Sequence, residues 1–580
     1  MSDKLFYGIA NIFFLVAFIA VIKIQRLSLK YPFKNIKNHW LIKRLYNYGK
    51  RSYSICAGQF NFAIAFLFLL AVFTSVYKLG EVPYGLHVDE AGMAYDALSL
   101  AKYGVDRYLN PYPVYFINFG GGQSAMYTYL AAFFIKIFGY SVICVRLPAV
   151  LFRLITFGAI YYTIRREYKD IPVKTLLFLL IFAVCPYFIM QSRWGLDCNL
   201  LVGFLTLSVC VLMSAVRHNS KILYLVSGIS FGLSLYTYAL SYIIIPFFLL
   251  LTFSYLILAK RMKMIHVLIT VIPICVFSIP LIAMILVNMG IIAEYRGLFT
   301  IPKLHFYRGG EISLKNIPHN LYIILSLFSF DNPVIFGRQL LYNALSYFGT
   351  VYYFSVPLFV VGVVSSFKTC FRSIKNREYS IKIIFITWFL CVLACEFLIF
   401  APNINKANAA FIPILFFIVE GIVIITKNAK MMIIGIVILY LLNFSLFFNY
   451  YFNQYNSDSR GLSFFATDFI DAIRYVKNLN SDKNIILYDL TSEPYIYILL
   501  ENQVPPYKFR KNDIETIFNK CPQTYKFASA IEIESDSLHL YQSEKSDSVY
   551  IVSSSTHWEQ WFKSKGYNNI TYGNISVFNK

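Results

Sequence analysis

The chain reads as a polytopic α-helical membrane protein of about twelve spans that ends in a small soluble α/β domain. Three observations carry this reading. Of 580 residues, 58% are hydrophobic and only 14% charged, where a soluble domain has about 25% charged residues. Apolar runs of about 18–22 residues recur, each long enough to cross a bilayer as a helix. Beyond residue 450 these runs stop, and short helix and strand patterns alternate instead.

Taken in order, spans are expected near 4–22, 59–79, 146–164, 174–190, 199–216, 222–239, 242–259, 265–288, 353–367, 381–400, 409–426 and 431–450. The first lacks a small-residue cleavage site, so it reads as an uncleaved anchor. The chain therefore divides into 1–58, an extra span with a basic loop; 59–450, the membrane body; and 451–580, the soluble domain. The net charge of +22 suggests a polyanion partner, but its location argues otherwise. From Tyr451 onward there are 13 Lys and Arg against 15 Asp and Glu, so the excess is confined to the membrane part. It sits in short loops: Lys23 to Arg51, Arg165 to Lys174, Arg217 with Lys221, Lys260 to Lys263, Lys368 to Arg377, and Lys427 with Lys430. Short loops rich in Lys and Arg stay cytoplasmic. Alternating spans put all six on one side, and no nucleic-acid partner is implied. Both termini then lie outside, making the C-terminal domain extracytoplasmic. Residues 124–140 are apolar enough to span, but counting them would invert every later loop. They are expected to lie on, or dip into, the outer face.

Ten cysteines give no disulfide framework, since most lie in apolar spans. Cys391 and Cys395 read as packing residues. No Walker, dinucleotide or zincin motif is visible. In the tail, Thr467-Asp468 is expected to cap a helix with Phe469, Ile470, Ile473 and Val476 on one face. Residues 484–489 and 549–553 read as strands; a helix at 556–565 and the stretch from Ile570 to Phe578 complete a β-α-β series. Asn569-Ile-Thr and Asn574-Ile-Ser match the glycosylation pattern.

Chemistry concentrates at the outer rim. Pro83-Tyr-Gly-Leu-His87-Val-Asp89-Glu90 puts two adjacent carboxylates at the edge of the membrane, where an ionisable group is costly and a site is the default reading. Arg146 opens a span, with Arg153 about two turns deeper on the same face. Ser192-Arg193-Trp194-Gly195-Leu196-Asp197 forms a second rim element, and Asn403, Asn405, Lys406 and Asn408 another. Carboxylates and cations beside lipid suit a substrate that carries a phosphate into the membrane. Snorkelling along the helix explains Arg153 equally well, and an interfacial anchor explains Lys406.

The run Pro83-x-Gly85-x-His87-x-Asp89-Glu90, Gly104-x-Asp106, Gln123-Ser-x-x-Tyr127, Phe138-Gly139 and Arg146-Leu-Pro148 resembles the first outer loop of GT-C class membrane glycosyltransferases. It is most similar to the protein O-mannosyltransferase and aminoarabinose-transferase branch. Ser192-Arg193-x-Gly195-x-Asp197 resembles that class's second outer loop. Asn403-x-Asn405-Lys406-x-Asn408 resembles a later motif, with Lys where Arg is common. The acidic-Lys-Pro-Pro signature of the aminoarabinose branch is replaced by Gly122-Gln123-Ser124, which favours a hydroxyl acceptor over a phosphate.

The resemblance implies a GT-C-like fold over 59–450. It also implies transfer of a hexosyl or pentosyl unit from a polyprenyl-phosphate donor to a glycan or protein acceptor on the extracytoplasmic face of a plasma membrane; the abundance of Tyr, Phe, Ile, Asn and Lys suggests an AT-rich genome and a bacterial cell-envelope setting. Asp89 would be the general base. Glu90 would orient the acceptor or hold a metal, and Arg146 and Arg193 would neutralise the leaving phosphate. His87, Gln123, Arg153, Asp197 and Lys406 complete the expected donor site. No cofactor is required; a divalent ion, Mg²⁺ or Mn²⁺, on Asp89, Glu90 and Asp197 stays open, although adjacent carboxylates alone are a weak ligand set. A polysaccharide polymerase or ligase moving a lipid-linked glycan is the neighbouring reading. A lipid-linked-sugar transporter is a third, against which stand the absence of an internal repeat and charge held at one rim.

Overall fold

A computed structural model describes residues 57–321, 327, 345, 347–427, 429, 431–457, 464–479, 484–488, 494–508, 548–553, 560 and 562–579. The span expected at 4–22, Cys521, His557 and half of the helix expected at 556–565 lie outside them. Among the described residues nine helices are long and apolar enough to cross a membrane. The other two expected spans are shorter. Residues 174–190 form Pro172–Val184 and Pro186–Gln191, divided at Pro186, and 222–239 is helical only over Lys221–Ser234. The expected bundle is therefore present among the described residues, with 174–190 interrupted at Pro186, which lacks a backbone donor.

Among the described residues, packing gathers the basic loops near 165–174, 217–221, 260–263 and 368–377 at one end, as the charge pattern implied. Arg217 pairs with Glu167, and the Arg261 guanidinium lies over the Tyr379 ring. Lys174 and Lys382 both reach Glu420, at 2.6 and 2.8 Å. Within the bundle, helices Ser355–Asn376 and Phe411–Ile425 cross at Gly362 and Gly421. A Cβ at either would collide with the facing backbone, at Phe417 or Leu358. Small residues at such a crossing let apolar helices approach closely.

The segment at 124–140 begins as a strand, Gly121–Ser124, paired antiparallel with Tyr115–Asn118, and continues as the helix Ala125–Phe138. At 14 residues this helix is about 21 Å long, short of the roughly 30 Å hydrocarbon core. One side buries Tyr127, Thr128, Ala131 and Ile135, while Phe133, Ile137 and Phe138 are exposed. That amphipathic split suits a peripheral helix.

The tail carries a four-stranded sheet in the order 484–488, 548–553, 575–579, 568–572; the first pair is parallel and the rest antiparallel. The stretch from Ile570 to Phe578 is two strands of a hairpin, turned at Gly573 with φ +52°. Thr467 and Asp468 do not cap their helix. Ala466 is the N-cap, the Thr467 hydroxyl donates to Tyr84 O, and Asp468 accepts from the Asn574 N–H. Tertiary partners took both side chains. The core of this unit is shared: Phe469, Ile473, Ile496, Leu499 and Val577 pack in one cluster with Leu86, Met93, Tyr95 and Leu98 of the membrane body.

Candidate active site

The helix Val88–Tyr103 begins at His87, an extended N-cap whose Nδ1 accepts the Asp89 N–H at 3.2 Å. His87 Nδ1 and Asp89 Oδ2 are also 3.7 Å apart. Asp89 and Glu90 occupy the first turn, where the helix dipole favours anions. Neighbouring positions on a helix point about 100° apart, and the two carboxylates meet opposite fates.

Asp89 keeps 40% of its side chain exposed, whereas Glu90 is fully buried. Glu90 accepts from Arg146 Nε at 2.9 Å and Nη2 at 3.2 Å, and from the Gly195 N–H at 2.6 Å. A Cβ at Gly195 would press on Met93 and Glu90 at 3.0–3.4 Å, so a larger residue there would push on the Glu90 side chain. Glu90 is thus a buried structural anion; its carboxylate is committed to Arg146 and Gly195 rather than turned toward an acceptor or metal.

The arginines correct the sequence reading further. Arg146 Nη1 donates to Leu79 O and Pro83 O at 3.0 and 2.9 Å, and Nη2 to Gly85 O at 2.8 Å. Arg193 donates to the carbonyls of Thr74, Ser75, Tyr77, Lys78 and Val82 at 2.6–3.1 Å. Arg153 reaches Ala71 O, Thr74 Oγ1, Ser75 Oγ and Ala183 O at 2.7–3.3 Å. All three side chains are buried. The helix Ala57–Val76 ends here, leaving carbonyls without intrahelical partners at the membrane rim. Each guanidinium, with five donors and no acceptor, satisfies several at once. Arg146, Arg153 and Arg193 therefore clamp the 71–85 backbone, and neither Arg146 nor Arg153 opens sideways onto lipid. The available signal was an irregular Tyr77–Leu86 stretch rich in carbonyls and poor in capping side chains.

Asp89 is held by residues the sequence reading did not select. Its Oδ1 accepts Asn118 Nδ2 at 3.2 Å; Asn118 Oδ1 accepts Arg107 Nη2 at 3.2 Å; Arg107 grips the buried Asp96 by Nε and Nη2 at 2.7–3.1 Å. Asp96 lies seven positions after Asp89 on the same helix, a spacing that could have flagged it. Asp106 pins the intervening loop, accepting from the Tyr108 and Asn110 N–H groups at 2.8 Å. Burial and the neighbouring Asp96 push its carboxyl up to about 7.

Asp197 is buried, with Oδ2 accepting the Ser124 N–H at 3.1 Å and Oδ1 the Cys198 N–H at 2.7 Å. Gln123 is buried beside it, and its Oε1 has no hydrogen-bond partner. Lys406 sits across the rim in the 401–407 loop, donating to Phe400 O at 2.7 Å and standing 3.9 Å from Glu311. Burial lowers its ammonium below the usual lysine range, against the raising effect of Glu311 and Glu396. Arg308, mostly exposed, is 3.8 Å from Glu311 on a segment whose Phe306 N–H donates to Gly120 O.

Among the described residues no three His, Cys, Asp or Glu side chains converge as metal ligands. Of the three expected ligands, Glu90 and Asp197 each accept two or more protein donors and Asp89 accepts Asn118 Nδ2.

Comparison with known proteins agrees with the architecture. Residues 123–287 match the family described as dolichyl-phosphate-mannose-protein mannosyltransferase. The structure of ArnT from Cupriavidus metallidurans bound to undecaprenyl phosphate superposes with TM-score 0.50 at 12% identity, covering 90% of this chain and 98% of that one; its apo state gives the same figures. The archaeal oligosaccharyltransferase AglB from Archaeoglobus fulgidus, in complex with an inhibitory peptide and a dolichol-phosphate, gives TM-score 0.41 at 11% identity, covering 73% and 58%. No curated protein sequence matches. The fold is that of ArnT over 90% of this chain, in keeping with the GT-C-like fold that the rim motifs implied.

Proposed function

We propose that this chain is a membrane glycosyltransferase that moves a sugar from a polyprenyl-phosphate carrier to a hydroxyl of an extracytoplasmic glycan or protein, with Asp89 as general base. The observation that carries this is the contrast at the helix start. Asp89 is partly exposed, with Asn118 as the hydrogen-bond donor to its carboxylate among the described residues, while Glu90 beside it is buried against Arg146. A carboxylate fixed in direction yet open on one side can accept a hydroxyl proton. As the acceptor oxygen bonds to the anomeric carbon, its proton passes to Asp89. The bond from that carbon to the carrier's phosphate oxygen breaks, and its electron pair leaves with the phosphate. Charge develops on that leaving oxygen, where fixed cations stabilise it. With Arg146, Arg153 and Arg193 committed to backbone, Lys406 is the sequence-selected cation that remains for this role.

His87 and Gln123 would contact the sugar or acceptor. Asp197, bound to two backbone N–H groups, supports the Ser124 strand end beside them. The matched family and the ArnT fold support the donor class. The C-terminal unit supports an acceptor role by position. Tyr497 donates to Leu86 O at 3.1 Å, and Tyr95 of the Asp89 helix donates to Val504 O at 2.6 Å.

The test is transfer from polyprenyl-phosphate-linked sugars, presented as a panel in membranes, by the wild-type chain and by Asp89→Asn. Transfer from one such donor that disappears in the variant supports the reading; no transfer from any, or an undiminished rate in the variant, sinks it. Addition of EDTA, with and without restored Mg²⁺ or Mn²⁺, decides the metal question in the same assay.

A further inference from the structure

The helix Met264–Asn288 presents Leu268, Ile272, Val276, Ile279 and Ile282 as exposed apolar residues at three- and four-residue spacing. On a helix long enough to cross a bilayer, such a stripe faces lipid. It does not stop where the helix does. Met289, Ile291 and Ile292 are exposed, and the chain then enters a hairpin pairing Tyr295 with Ile301 and Arg296 with Thr300. At its tip Leu298 is 89% exposed, with Tyr295 and Phe299 exposed beside it, their rings 5.1 Å apart.

The base of this hairpin is built rather than loose. The Thr300 hydroxyl donates to Pro111 O at 3.0 Å, and Thr300 O accepts the Val114 N–H at 2.9 Å. Ile301 and Leu304 are buried against Tyr108, Tyr115, Met284 and Val287. Glu294 and Arg296, an exposed pair 3.3 Å apart, and Lys303 give the flanks charge. An apolar tip with aromatic neighbours and charged flanks has the composition of a membrane-interface element.

We propose that residues 289–301 form a bilayer anchor, with Leu298 inserted among lipid acyl chains. Continuity with the lipid-facing stripe favours lipid over a protein partner for this exposed apolar surface. The anchor fixes the segment that follows, whose Phe306 lies over Gly120 and Gly121 at the strand turn next to Asn118. The hairpin thereby ties the bilayer surface to the element that positions Asp89.

The experiment places a photo-crosslinking p-benzoylphenylalanine at position 298 of the full chain in phospholipid nanodiscs, with a control probe at Tyr507, exposed on the C-terminal unit. Mass spectrometry should find phospholipid adducts at 298 in about tenfold excess over 507. A probe at Phe299 repeats the measurement should the first variant fold poorly. Equal adduct yields at 298 and 507, no lipid adduct at 298 and 299, or crosslinks only to another protein chain would each overturn the proposal. No sugar donor is present, so this outcome is separate from that of the transfer assay.

Discussion

The two ends of the bundle handle buried charge differently. At the basic end, Glu420 receives Lys174, Lys382 and the Tyr168 hydroxyl at 2.6–3.0 Å, so each of its oxygens meets an ammonium. At the other end, Glu90 is neutralised as completely by Arg146, but Asp89, one residue earlier, has Asn118 as hydrogen-bond partner and an open side. A buried acid needs its own cation and hydrogen bonds, or it costs several kcal/mol. The first end shows how thoroughly this chain can compensate a carboxylate in the membrane. Against that standard, Asp89 differs from Glu420 in keeping one side open.

The largest effect that can break this contrast is on catalysis. Asp89→Asn keeps the Asn118 contact and should reduce transfer by about 10²–10⁴-fold, the range of base catalysis, with an unchanged melting temperature in detergent. A variant with a near-normal rate would make Asp89 no different from Glu420. Next comes Glu90→Ala, which strands Arg146 and should destabilise the chain by about 3–5 kcal/mol, as for a broken buried pair. Thermal unfolding measures this; a stable, correctly inserted Glu90→Ala protein lacking transfer would restore Glu90 to a direct chemical role. Glu420→Gln should cost less, about 1.5–3 kcal/mol, because the amide still accepts a hydrogen bond while the charge is lost. Its transfer rate per folded molecule should match the wild type, and a selective rate loss would show that the basic end also bears on the reaction.

A smaller effect is expected where the tail grips the site loop. The Tyr84 hydroxyl donates to Asp471 Oδ1 at 2.6 Å and accepts from Arg474 Nη1 at 3.0 Å. Tyr84→Phe should cost about 1 kcal/mol and slow transfer with little change in donor KM. Asp106 gives the subtlest readout. Its carboxyl stands at about 7 in the folded chain and an ordinary 3.8 when unfolded, so the native state holds more protons between those values. Its contribution to stability is full below about pH 4 and is lost as pH rises through 7. Compared with Asp106→Asn, the wild type should lose stability over that window; parallel pH profiles would remove the effect.

Much of this was legible in the chain itself. Apolar runs longer than the bilayer is thick need no tertiary partner to declare themselves, and Lys and Arg in short loops mark one end. The expectation that Ala125–Phe138 lies peripherally came from charge alternation alone, because an added crossing would have scattered the basic loops. Tertiary structure decided the roles of the charged side chains. His87, Asp89, Glu90, Arg146 and Arg193 are all polar residues at a membrane rim. A one-dimensional pattern says that such groups need partners, but not which ones. That Arg146 and Arg193 serve backbone carbonyls left by the end of Ala57–Val76 depends on contacts across more than fifty residues of sequence, and so does the assignment of Glu90 to Arg146. Asn118, Arg107 and Asp96 line up behind Asp89 only because a strand pair and a loop fold back onto one helix. Composition and periodicity set the solvent each segment prefers, whereas compensation of a buried charge is set by distance, which exists only in the folded chain.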